Sequence, residues 1–137
     1  MMLLLPIPMP IRTNKAYRIG NRGGRATQWL IDEAKTYKAE VTLLVRNAVL
    51  AQGFVFADAD FFGLELVFAP PNRRGDVDGG LKLTQDAVAD GLGINDRRFS
   101  EVCIQRLAPC KIPTARIKIY LTKEWSIQND NNIAKRP

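Results

Sequence analysis

The run Asp60-Phe-Phe-Gly-Leu-Glu-Leu-Val-Phe68 places Phe62, Leu64, Leu66 and Phe68 two residues apart. Side chains at that period share one face of an extended strand, and Pro70-Pro71 removes two backbone donors and ends it. Downstream, Leu81, Thr84, Val88 and Leu92 recur at steps of three and four, which predicts a helix over residues 80 to about 91 with one face on a core. Residues 99–107 read as a second strand, with Ser100, Val102 and Ile104 on one side. Residues 116–122 are the clearest strand, Ile117, Ile119 and Leu121 inward and Arg116, Lys118 and Tyr120 outward.

Upstream of Asp60, Leu30, Ala34, Tyr37, Val41, Leu44 and Ala48 line one face of a long amphipathic helix expected over residues 29–50. Asp32 and Glu33 in its first turns and Arg46 near its end suit the helix dipole, and Gly53 is a natural stop. A stripe of about three heptads beside strands reads as a core helix rather than a coiled-coil seam. The apolar start carries prolines at positions 6, 8 and 10 and reads as a short edge strand running into extended chain. Residues 12–25 hold five bases and three glycines and read as a flexible basic loop. The order strand, helix, strand, helix, strand, strand predicts an α+β fold: one small domain over residues 1–127, a mixed four-stranded sheet carrying two helices. The tail from Gln128 is expected to be disordered.

Composition narrows the chemistry. Histidine is absent from the 137 residues, which removes hydrolases with an imidazole base, most zinc sites and any imidazole proton shuttle. Twenty Lys and Arg against 14 Asp and Glu leave +6, a balance that favours polyanionic partners, nucleic acid first. Cys103 and Cys110 match no zinc spacing and read as reduced thiols. No apolar run approaches the roughly 20 residues of a membrane span, so no membrane partner is expected, and the two reduced thiols read as those of a cytoplasmic protein.

The chemically informative segment is Pro70-Pro-Asn-Arg-Arg-Gly-Asp-Val-Asp-Gly-Gly-Leu-Lys82. In extended backbone Asp76 and Asp78 point to one side and Val77 to the other, and two carboxylates that close repel unless a cation lies between them. Oxygen donors of this kind suit Mg²⁺, with Mn²⁺ an alternative. Arg73, Arg74 and Lys82 would draw a phosphate to the same place, and acids that hold metal beside bases that hold phosphate describe a phosphodiester-cleaving site. Turn chemistry, with the two acids bonding local amides, is the competing reading. A calcium loop of the EF-hand kind fails, because Gly80 stands at the fifth-position ligand and Leu81 at the required glycine. Asp96 offers a third carboxylate in the loop before the next strand, while Asp86, four residues after Lys82, reads as that lysine's partner on one helix face.

These residues resemble the RusA-like Holliday junction resolvases, over most of the chain from the proline-rich start to about Thr122. The opening Pro10-Ile-Arg-Thr-Asn-Lys-Ala-Tyr-Arg18 looks like the family's, and the core of the likeness is Arg74-Gly-Asp-Val-Asp-Gly-Gly-Leu-Lys82, then Gln85-Asp-Ala-Val88 and Gly93-Ile-Asn-Asp96. The resemblance implies that Asp76, Asp78 and Asp96 are metal-binding catalytic acids, that Lys82 is the catalytic lysine and that Asp86 is the helix acid of the pattern. It implies a homodimeric, Mg²⁺-dependent endodeoxyribonuclease that resolves four-way junctions by paired symmetric nicks in DNA recombination and repair, in a bacterial or phage-infected cell near the nucleoid. Gly79 stands where the family has asparagine and Gly75 where it has a base; both bear on rate and substrate preference rather than on reaction class. Arg12, Lys15, Arg18, Arg22 and Arg25, with Arg73, Arg74, Arg97 and Arg98, are the expected DNA phosphate contacts. The alternative from another class is a non-catalytic junction- or DNA-binding protein; a metal nuclease acting on flaps or linear duplex is a third.

Overall fold

A computed structural model describes residues 1–11, 17–75 and 77–124, with residues 17–19, 21–22 and 25–29 as backbone only. Four strands form a mixed sheet: β1 (Met2–Ile7), β4 (Phe61–Ala69), β5 (Phe99–Arg106) and β6 (Thr114–Thr122). Their spatial order is β1-β6-β4-β5, antiparallel except for the parallel pair β4–β5. Two helices, α1 (Asp32–Gln52) and α2 (Leu81–Leu92), complete the α+β domain in the order read from the sequence.

The alternating pattern decides which face is buried. Leu3, Leu5 and Ile7 of β1, Phe62, Leu64 and Leu66 of β4, and Ala115, Ile117 and Ile119 of β6 all join the core. Ala34, Tyr37, Val41 and Val45 meet them from α1, and Leu83, Ala87, Val88 and Leu92 from α2. Pro6 is tolerated because β1 is an edge strand. On the uncovered face the Tyr120 ring lies against Gly63, where any Cβ would come within 2.2 Å of it. Its hydroxyl donates to Glu101 at 2.8 Å, and Lys118 pairs with Glu65 at 3.4 Å.

Three local readings are corrected. Residues 17–25, expected within a flexible loop, belong instead to a hairpin, β2 (Tyr17–Arg22) paired antiparallel with β3 (Arg25–Leu30). Gly23 and Gly24 turn it with φ of 60° and 80°, the two consecutive positive angles that a tight hairpin turn requires. Trp29 and Leu30 therefore belong to β3, and α1 begins at Asp32. Inside α1 the buried position is Val45, whereas Leu44 is half-buried: the packed face drifts by one residue from the stripe. Arg46 also falls short of the last turn, which holds no base, while Gly53 ends the helix in the left-handed conformation as expected. The tail from Gln128 lies outside the described residues.

The helices meet closely at Gly91, where a Cβ would fall 2.7 Å from Val45 Cβ and 2.8 Å from the Thr42 carbonyl oxygen. Glycine to alanine inside a helix normally gains about 1 kcal/mol, but both obstacles are rigid and overpacking costs about 1–3 kcal/mol. Gly91→Ala is therefore expected to lower stability by about 1 kcal/mol in urea unfolding; a gain would show that the helices separate freely.

Between the same helices the Tyr37 hydroxyl bonds Thr84 Oγ1 at 2.8 Å. Burial pushes this phenol up from 10.0 to about 12. Below pH 10 Tyr37 is neutral in both folded and unfolded chains and stability is unaffected. Between pH 10 and 12 only the unfolded chain ionises there, so stability falls by about 1.4 kcal/mol per pH unit from this group. Unfolding of wild type and Tyr37→Phe from pH 9 to 12 is expected to show that component in the wild type alone.

Candidate functional site

The loop from Pro70 to Gly80 joins the carboxyl end of β4 to the start of α2. Asn72 Oδ1 accepts the Arg74 N–H at 2.9 Å, an Asx-type turn. Gly75 adopts φ 87°, and its carbonyl oxygen accepts from the Arg106 guanidinium at 2.7 Å. The end of β5 thus holds the residue immediately before Asp76. Pro70 O accepts from Cys110 N at 2.9 Å and Asp78 O from Leu81 N at 3.1 Å, which fixes both ends of the segment.

The predicted site residues divide by place. Arg73, Arg74, Asp78 and Lys82 are exposed together at this end of the sheet. Lys82 pairs with Asp86 at 3.3 Å, the i,i+4 partnership read from the spacing. Asp96 lies elsewhere. It opens a 3₁₀ turn (Asp96–Arg98) beyond the far end of α2, capped by Asn95, whose Oδ1 accepts from Arg97 N at 2.9 Å. That turn leads into β5 where Phe99 faces Phe62, at the start of β4, whereas the Asp78 loop follows the end of β4. A 12-residue helix lies between the two acids, about 18 Å in length. Oxygen ligands sit about 2.1 Å from Mg²⁺, so Asp78 and Asp96 of one chain cannot share an ion.

Among the described residues no group of three His, Cys, Asp or Glu side chains converges on a metal position. Asp76 lies outside those residues, as do Arg12 and Lys15, and for Arg18, Arg22 and Arg25 only strand positions in the hairpin are described. Arg97 is exposed. Arg98 is half-buried and committed to the fold: it donates to the Asp60 and Ala57 carbonyls at 2.6 and 2.8 Å and lies 5.2 Å from the Phe62 ring centroid. Cys103 and Cys110 are free and exposed.

Arg106 was missed by the sequence reading. A lone arginine at the end of an edge strand carries no motif, and only the pairing of β5 with β4 brings it to the acidic loop. Beside that loop a cleft of about 370 Å³ opens between the carboxyl ends of β4 and β5 and the starts of both helices. Gly80 lets Pro10 close one wall, since a Cβ there would sit 2.3 Å from Pro10 Cβ.

No family model matches the chain, and no curated protein matches it. No helix among the described residues is long and apolar enough to cross a membrane.

Proposed function

We propose that this protein is a divalent-metal-dependent endodeoxyribonuclease acting on branched DNA, with the four-way junction as substrate. The observation that carries the reading is the loop from Pro70 to Gly80, which presents Asp78 beside Arg73, Arg74 and Lys82 at one exposed end of the sheet. Asp76 and Asp78 are hard oxygen donors suited to Mg²⁺ or Mn²⁺, and the adjacent guanidiniums suit a phosphodiester. When bound, such an ion lowers the pKa of a coordinated water and stabilises charge on a phosphate. With no histidine in the chain, no imidazole competes for that task. Lys82 would place positive charge near the scissile phosphate once released from Asp86.

Asp96 takes part only if two copies meet, because α2 separates it from Asp78 within one chain. Asp76 and Asp78 of one protomer would then face Asp96 of its partner. A homodimer of this kind has the two-fold symmetry of two opposed cuts.

The test is a synthetic four-way junction offered with Mg²⁺ or with chelator, beside flap and linear duplex competitors. Paired incisions that need the metal support the reading; preference for flaps or linear duplex makes the protein a general nuclease. The second reading, a DNA-binding protein that does not cut, is favoured by the pairing of Lys82 with Asp86 at 3.3 Å, which gives the lysine a structural use. Junction binding without metal-dependent incision would establish it. In both readings log affinity is expected to fall with log salt by about 0.9 per phosphate neutralised, measured by fluorescence anisotropy.

A further inference from the structure

We propose that the cleft beside the acidic loop receives one unstacked nucleotide of the bound strand, base inward and phosphate on Arg74 and Arg106; this rests on the reading of the protein as a DNA-acting enzyme. The cleft, about 370 Å³, falls within the range of small-molecule sites, about 300–1,000 Å³. Among the described residues its lining is mostly apolar, with Met9, Phe68 and Ile104 prominent, and the charged members are Arg74, Arg106 and the single acid Glu33. An apolar pocket with paired guanidiniums complements a ligand with a flat apolar body and an anionic end, which is the chemistry of a nucleotide.

Position agrees with chemistry. In open sheets, ligands bind outside the carboxyl ends of parallel strands, and β4 and β5 are the parallel pair here. Arg106 is already fixed by its bond to the Gly75 carbonyl at 2.7 Å, so little side-chain freedom is lost when a phosphate arrives. A paired and stacked base cannot enter, and a base already unpaired loses least on entering. The cleft therefore selects for strands that are open at the point of attack, next to the residues that would cut them.

The test follows the methyl NMR signals of Met9 and Ile104 in the full-length protein. The probes are deoxyadenosine 5′-monophosphate, inorganic phosphate, a single-stranded adenine pentanucleotide and a blunt duplex. Saturable shifts are expected with the mononucleotide by about 10 mM and with the pentanucleotide at lower concentration. None is expected with phosphate alone or with duplex. Arg106→Gln should weaken binding about tenfold, and Ile104→Trp, which fills the cleft, should abolish the shifts. Absence of saturable shifts in the wild type, equal shifts with phosphate alone, or full mononucleotide affinity in Arg106→Gln overturns the proposal, whether or not Ile104→Trp folds. A folded Ile104→Trp that still cuts junctions at the wild-type rate sinks the cleft assignment and spares the endonuclease. Mononucleotide binding in a protein that cuts nothing does the reverse.

Discussion

Asp78→Asn is expected to bind a four-way junction with wild-type affinity and to cut it at least about a hundredfold more slowly in Mg²⁺. The substitution keeps size and shape and removes the charge that would hold a cation; losing a group that stabilises charge at a reacting centre costs about 10²–10³ in rate. Affinity should survive because, on the proposed reading, phosphate contacts would come from the basic residues around the loop. The fold should survive too: Asp78 is exposed, and its part in the chain path, acceptance of the Leu81 N–H, is made by the backbone carbonyl. Thermal melting without metal is expected to show no loss, and relief of repulsion with Asp76 makes a small gain the natural result. A collapse of melting temperature would make the acid structural. Unchanged cutting would remove the metal site.

Leu64→Ala is expected to destabilise the protein by about 2–5 kcal/mol in urea unfolding. Leu64 is fully buried at the centre of β4, with β6 and β5 on either side, so neighbouring backbone cannot collapse into the space left behind. Leu44→Ala, at a half-buried position beside the core, is expected to cost about 1 kcal/mol, near the transfer value of the carbons removed. Comparable losses at both sites would mean that the face of α1 is wrongly set by one residue.

That contrast shows where sequence periodicity was informative. The strands were legible because a period of two has no slack: a slip of one residue would expose Phe62, Leu64 and Leu66 together. On a helix the period is not an integer, and an apolar row such as Leu44-Val45 satisfies either neighbour, so tertiary packing chose Val45. The hairpin of residues 17–30 was hidden by its charge. Its one local signal was Gly23-Gly24 between two arginines, a turn dipeptide that also suits a flexible linker.

For the candidate site, the loop with Asp78 and Lys82 was legible, since acids, bases and glycines cluster within a dozen positions. The placement of Asp96 was not. Motif spacing counts residues along the chain, and the 12-residue helix between the acids turns that spacing into an axial gap. Arg106 was invisible for the converse reason: it is 31 residues from Gly75 and touches it only through strand pairing.

The rod of α2 has a genetic consequence. If two copies share each centre as proposed, chains carrying Asp78→Asn mixed with chains carrying Asp96→Asn would form hybrids in which one centre inherits both lesions and the other inherits neither. Two inactive preparations would then regain cutting when combined, as single nicks instead of paired ones. Were all three acids drawn from the same polypeptide, every centre in the mixture would carry a lesion and the blend would stay silent.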